Sequence, residues 1–347
     1  MSPEKIKSFY FKLFPNCIIS RGSANAIIFD LQRHKTYSIP LKLYEILDSR
    51  DGELIENIYN DFDTSHLSDV NEYFDFLISN DLIYLDQDSS NLKSFVPIEF
   101  SYDNASILSN VIISFDAFTQ FNSLFHSIVT NLTDVLCEHI QLRLGPKISF
   151  NNICQIISKF QAKAFLRSIS IIIPGNHFEN LSNMSFKNSY PLVNQIILYG
   201  SSLKLKDHEV KEKQTEIILL EDDNFPNFPK LNELRFLYFQ TNIVSFSEAK
   251  NYNLYYNKKA YIDGDGNVYQ SPYSLKTFGN ILKSSLRSIA TNHAFQQYWS
   301  ITKDKILVCK DCEFRYACAD GRIPLKKDHS EFYHFDSDCM YDPYSEN

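Results

Sequence analysis

Glycine is scarce in this chain, nine residues in 347, against an average usage of ~7%. Neither G-x-G-x-x-G nor G-x-x-x-x-G-K occurs, which excludes a glycine-rich phosphate cradle of the usual kind. Basic residues are also in deficit: 34 Lys and Arg face 42 Asp and Glu, a net charge of −8. Broad nucleic-acid binding is disfavoured, because neutralising phosphates takes clustered Lys and Arg. No apolar run approaches the ~20 residues of a membrane-spanning helix, and the opening MSPEKIKSFY lacks the apolar core and cleavage site of a signal peptide. The expectation is a cytoplasmic protein with neither nucleic-acid nor membrane partners. In that compartment the seven cysteines read as thiols or metal ligands rather than disulfides.

The length allows two domains and a small appendage. Within residues 9–39, the β-rich runs FYFKLFPNCIIS, NAIIFDL and KTYSIP are separated by turn-prone RGSAN and QRH, predicting a three-stranded sheet. Three helical patterns follow: LKLYEIL, GELIENIYNDF, and a third in which Leu67, Val70, Tyr73, Phe74, Leu77 and Ile78 recur at helical spacing. Asp63, Thr64 and Ser65 offer that third helix an N-cap, and LIYLD closes the unit as a strand. The order is that of a small winged helix.

A winged helix usually implies DNA, yet residues 1–95 hold nine Lys or Arg against fifteen Asp or Glu, and the third helix carries Asp69, Glu72 and Asp75 with no basic residue. DNA recognition is therefore disfavoured. The segment instead resembles the PqqD-like peptide-recognition domains of ribosomal-peptide maturation systems. That resemblance implies a leader peptide added to a sheet edge beside the third helix, with main-chain hydrogen bonds for affinity and alternating pockets for specificity. The candidates for the groove are Tyr37, Ile39, Tyr73 and Leu77.

Residues 88–110 are polar and read as a linker. Beyond them NVIISFD, HIQLRL, SISIIIP, NQIILYG and EIILLED alternate with amphipathic stretches such as AFTQFNSLFHSIVTNL and NNICQIISKFQAKAFL. Continuous apolar strands separated by helices predict βαβ units, a parallel sheet and an incomplete (β/α) barrel.

Four cysteines crowd the tail, Cys309-x2-Cys312-x5-Cys318-x20-Cys339, while Cys17, Cys137 and Cys154 are scattered. Thiolates converging on one point suit tetrahedral zinc or the corners of a [4Fe–4S] cube. His329 and His334 are substitutes for Cys339 as fourth ligand, and Lys310, Arg315 and Arg322 are near enough in sequence to offset thiolate charge. The spacing resembles the second auxiliary cluster of SPASM domains. The words around it, Trp299, Ile301, Lys303, Asp304 and CEFRYAC, resemble the SPASM-bearing maturases of the grasp-with-spasm peptide systems, encoded beside an ATP-grasp ligase and a precursor peptide.

This resemblance implies a four-part chain: a PqqD-like winged-helix domain over 1–90, a linker over 91–110, a degenerate radical-SAM-like partial (β/α) barrel over 111–258, and a SPASM-like module over 259–347. It implies a leader peptide and an ATP-grasp ligase as partners, and one [4Fe–4S] cluster on Cys309, Cys312, Cys318 and Cys339, with zinc as the alternative. Departures from the family pattern limit the chemistry. Gln270, Ser271, Ser284, Gly321 and Arg322 stand where a first auxiliary cluster would take its cysteines, and such side chains do not replace thiolates on iron. No C-x3-C-x2-C follows NVIISFD, so no S-adenosylmethionine cluster is expected and the catalytic residues stay unassigned. The functional expectation is a maturation protein without autonomous radical activity. The alternatives are an iron–sulfur enzyme using its single cluster on the peptide, and a zinc-stabilised structural or regulatory protein.

DGDGN at 263–267 lacks the further ligands of a calcium loop and reads as a tight turn permitted by Gly264 and Gly266. Glu221, Asp222 and Asp223 after EIILL read as a solvated acidic loop at a strand end.

Overall fold

The computed structural model describes residues 3–182, 186–200, 216–219, 239–327 and 329–345. Glu221, Asp222 and Asp223 lie outside the described residues. After a single helical turn, α1 (Pro3–Ile6), the run FYFKLFPNCIIS makes two strands instead of one. Pro15 has no N–H to give to a ladder, so the chain breaks there. β1 (Tyr10–Leu13) pairs antiparallel with β5 (Ile83–Asp86), and β2 (Cys17–Arg21) joins β3 (Ala26–Asp30) and β4 (Lys35–Ile39) in an antiparallel sheet of order β2-β3-β4.

Three helices cover one face of this sheet: α2 (Leu41–Ser49), α3 (Ile55–Asn60) and α4 (Leu67–Ser79). The expected N-cap of α4 is replaced by a 3-10 turn at Thr64–His66, and neither Asp63 nor His66 makes a side-chain capping bond. Strand alternation sends Ala26 and Ile28 of β3 into the core beneath the helices. Ile27 and Phe29 point the other way, into a second core with Phe246, Tyr316 and Ala317. β3 is consequently buried at every position.

The middle of the chain forms an eight-stranded sheet of order β10-β9-β8-β7-β6-β11-β12-β13. β6 (Asn110–Phe115), β7 (His139–Leu144), β8 (Ser168–Pro174), β9 (Val193–Tyr199) and β10 (Glu216–Leu219) run parallel in sequence order. Right-handed crossovers wound always in one direction place their helices on one face. That face is apolar: Ile113, Leu142 and Ile171 share a core with Phe121 and Ile128 of α5 (Phe118–Asp134) and Ile156 and Phe160 of α6 (Phe150–Gln161). The other face carries Ser114, Gln141, Arg143, Ser170 and Gln195, and Arg143 is buried there with its Nε donating to Gln141 Oε1 at 3.1 Å. Among the described residues β10 pairs only with β9, so the parallel sheet expected of an incomplete (β/α) barrel is present and is open at β10. Two short helices, α7 (Phe178–Ser182) and α8 (Phe186–Ser189), precede β9, and α9 (Ile243–Asn251) follows β10.

The sheet continues past residue 258, the expected limit of the barrel. β11 (Lys259–Ile262) lies parallel to β6, and β12 (Asn267–Tyr269) and β13 (Gly279–Asn280) extend it antiparallel, before α10 (Leu286–Ala290). DGDGN is the β11–β12 turn, tied by the Asp263 carboxylate, which accepts from the N–H groups of Asp265 and Asn267 at 3.0 and 2.9 Å. Gly266 takes φ +82°; Gly264 does not use positive φ but leaves room for the Gln120 side chain. No helix among the described residues is long and apolar enough to cross a membrane.

Phe29 joins the first sheet to α9 through an edge-on contact with Phe246 at 5.4 Å, in a core that also takes Tyr316 and Ala317 of the tail. Phe29→Ala should lower unfolding free energy by about 3–5 kcal/mol, read as a fall in the denaturant midpoint with the slope unchanged.

Candidate metal centre

After α10 the chain has little regular structure, and hydrogen bonds between turns hold it. 3-10 turns at Lys303–Lys305 and Cys309–Asp311 flank Val308, which sits at φ 68°. A β-branched residue rarely adopts that conformation. Cys312 N–H closes the second turn on the Cys309 carbonyl at 3.1 Å, and Cys318 N–H bonds the Phe314 carbonyl at 3.1 Å. The hairpin of β14 (Leu325–Lys326) and β15 (Tyr333–His334) returns to the first turn through Leu307 N–H and the Tyr333 carbonyl at 2.8 Å. Cys339, distant in sequence, is brought back by that hairpin.

All four cysteines line one cavity of about 380 Å³, with Lys303, Asp320, Phe314 and Thr36 among the other walls. Thr36 comes from β4, where it stands opposite Phe29 on the face turned toward the tail. Among the described residues no three His, Cys, Asp or Glu side chains are close enough together to hold a single metal ion. Tetrahedral zinc with Zn–S of ~2.3 Å needs sulfurs about 3.8 Å apart, whereas a four-iron cube spreads its thiolates over its corners. As a donor set, four thiols on the wall of one cavity suit either a tetrahedral zinc site or the corners of a four-iron cube.

Burial pushes the Cys309 thiol up to about 11 and raises Cys312 and Cys318 as well. For Cys309 and Cys318 the Lys303 ammonium acts in the opposite direction, whereas Glu313 adds to the rise at Cys312. Thiols that resist ionisation by burial become ligands when a metal replaces the proton.

Two of the cavity's wall residues, Lys303 and Asp320, belong with Arg322 to a buried ionic group that the cysteine spacing does not reveal. Arg322 grips Asp320 with Nε 2.9 Å and Nη2 2.6 Å from Oδ2, while Lys303 Nζ lies 3.8 Å from the same oxygen and donates to the Asp320 carbonyl at 3.3 Å. Both cations lie over the Phe335 ring, at 4.7 Å for Lys303 and 4.3 Å for Arg322. Burial raises the Asp320 carboxyl, but Lys303 and Arg322 outweigh it and hold it below the usual carboxylate range. The only sequence signal was Arg322, noted as a nearby charge; Lys303 stood out only as part of a family word.

The other cysteines are elsewhere. Cys17 is buried under the helices of the first sheet, Cys137 in the core of the large sheet, and Cys154 lies half-buried on α6. His329 is exposed and His334 half-buried, and neither lines the cavity, whereas Cys339 does. Lys310 pairs with Asp311 at 2.8 Å, and Arg315 with Asp304 at 3.0 Å, also donating to the Cys312 carbonyl at 2.8 Å.

The four groove candidates divide. Tyr37 and Tyr73 are half-buried, whereas Ile39 and Leu77 belong to the core under the first sheet, at 4% and 0% exposure. Tyr37 touches Phe76 of α4 edge-on at 5.9 Å, so the helix face turned to β4 is the stripe Asp69, Glu72, Tyr73 and Phe76. β4 is an edge of its sheet, paired only with β3 among the described residues. At the other family positions, Gln270 donates to the Phe295 carbonyl at 2.6 Å, Ser271 bonds Ser274 at 3.1 Å, and Ser284 is exposed. Between β6 and α5 stand only Asp116 and Ala117.

No protein-family model matches the chain, and no curated protein matches it. Among solved structures, crystal structures of Streptococcus suis SuiB are similar at 10% identity, over 95% of this chain and 100% of that one. The form bound to S-adenosylmethionine has a TM-score of 0.41 and the form bound to precursor peptide SuiA 0.40.

Removing one partner from a buried charge group strands the others. Arg322→Met should therefore destabilise the fold by about 3–5 kcal/mol, measured by chemical denaturation.

Proposed function

We propose that the chain is a maturation protein of a ribosomally synthesised peptide pathway, which captures the precursor's leader and carries one [4Fe–4S] cluster on Cys309, Cys312, Cys318 and Cys339. The observation that carries this reading is the shared wall: the cysteine cavity includes Thr36 of β4, the strand whose far edge is unpaired among the described residues. A peptide adding to that edge would lie against the aromatic stripe of α4 on one face and beside the cysteines on the other. The domain limits that go with this reading are a PqqD-like unit to residue 90, a linker to 110, a partial barrel to 258 and a SPASM-like module to 347. An ATP-grasp ligase is the partner that forms the new bond, and the cytoplasm is the compartment; seven free thiols accord with that.

Supporting a metal-binding role are four thiols on the wall of one cavity, and the resemblance of C-x2-C-x5-C to an auxiliary cluster site favours iron–sulfur over zinc. Supporting a dependent role is the β6–α5 loop, where Asp116 and Ala117 offer no thiolate for a second, cleaving cluster. When bound, the cluster would tie together turns otherwise held by hydrogen bonds, ion pairs and the packing of Tyr316 and Ala317, and would supply a one-electron centre. The chain's own residues hold it through thiolates, exclude water with Phe314, and present the peptide edge beside it.

Protein purified without oxygen should hold about four irons and four sulfides per chain; one zinc and no sulfide would reject the cluster. Calorimetry with the precursor peptide encoded beside this chain should show binding, weakened at least tenfold by Phe76→Ala, about 1.4 kcal/mol. No heat with that peptide would remove the capture role.

A further inference from the structure

We propose that Lys303 is the buried cation that counterbalances the anionic cluster and holds its reduction potential up, with Glu313 as the opposing charge. The proposal rests on the cluster reading above and adds the residues that tune it. Both Asp320 oxygens are taken by Arg322, with Nε at 3.2 Å from Oδ1 and 2.9 Å from Oδ2. Lys303 is left with a carbonyl at 3.3 Å and a long 3.8 Å approach to the carboxylate. Its side chain is 5% exposed and lies over the Phe335 ring at 4.7 Å, a face that carries no formal charge. A buried ammonium so incompletely paired calls for another anion, and the wall it stands on faces four thiols. Thiolates bound to iron carry net negative charge and supply that anion.

Of the two cations that line the cavity among the described residues, Arg315 is paired with Asp304 at 3.0 Å, whereas Lys303 approaches the Asp320 carboxylate on the same wall only to 3.8 Å; Arg322, which does not line the cavity, is bound to Asp320 and the Ser337 carbonyl. On the far side, beside Cys312, Glu313 is 2% exposed; its Oε1 accepts from the Tyr341 hydroxyl and its Oε2 has no hydrogen-bond partner. A side chain at Gly22 would collide with that carboxylate, so the first sheet's hairpin closes over it. A buried cation favours the added electron and a buried anion opposes it, with little screening by solvent. Reduction adds one electron to the cluster and changes no bond at Lys303 or Glu313.

The test is an anaerobic dithionite titration followed by electron paramagnetic resonance, on wild type, Lys303→Met, Lys303→Arg and Glu313→Gln, each assayed for iron and sulfide. Lys303→Met should lower the reduced-to-oxidised ratio at fixed potential about tenfold, a negative shift of ~59 mV for one electron. Glu313→Gln should shift it positively, and Lys303→Arg should stay near wild type. An unchanged potential in iron-loaded Lys303→Met, or shifts of the same sign in Lys303→Met and Glu313→Gln, would overturn the proposal. If Lys303→Met loses its iron, retention by Lys303→Arg supports charge balance, whereas equal loss in both marks a packing role and rejects it. Wild type with neither iron nor sulfide refutes the cluster itself, a failure distinct from all of these.

Discussion

Much of this molecule depends on the two-sided burial of β3. A strand buried on one face alternates apolar and polar residues; AIIFD instead is apolar at four successive positions and ends in a buried Asp30. One face completes the core beneath α2, α3 and α4, and the other is the floor on which the cysteine-bearing turns rest. Because β4 follows β3 in register, Thr36 reaches the cysteine cavity while its neighbour Tyr37 reaches α4. A single antiparallel strand pair thus places β4, an edge strand among the described residues, on the wall of the cavity that the thiols line.

Asp30 shows how this floor is closed. It is buried, yet accepts from the Asn16 amide at 3.0 Å and from the Arg33 backbone and guanidinium at 2.9 and 3.0 Å. That shell fixes the turn between β3 and β4 and sets the register of both. The tail uses the same device at greater scale with Asp320, which organises two cations and, through Arg322, the segment leading to Cys339. In a region almost without helix or strand, buried carboxylates supply the geometry that backbone ladders supply elsewhere.

Much of the architecture was legible in the sequence because periodicity and burial agree: β6 to β9, α5 and α6 fall on the apolar runs that predicted them. The four cysteines were legible from spacing, and the cavity brings them together. Other features depend on partners distant in the chain. Pro15 divides a run that looks continuous, and β11 joins the large sheet beside β6 through a pairing about 150 residues apart. Ile39 and Leu77 carry the apolar pattern of their elements, and that pattern marks the core, whereas the helix face turned to β4 is set by Phe76 and Glu72 between the periodic positions. Lys303 was opaque for another reason: a lysine in a polar tail reads as solvated until the aromatic ring and carboxylate that bury it are in place.

The hairpin between β2 and β3 is fastened to the end of the chain, with Ser23 N–H on the Asp311 carbonyl, Ala24 N–H on Pro343 and the Arg315 guanidinium on the Arg21 carbonyl, a separation of 294 residues in the last case. The first sheet precedes α9 and the tail in the chain, so the core on which Ile27 and Phe29 pack stays incomplete until Phe246 and then Tyr316 and Ala317 emerge. At ~5–20 residues per second, that wait is on the order of 15–60 s. During that interval the nascent chain presents an apolar strand face to the cell, so its yield depends on what shields that face as much as on the finished fold.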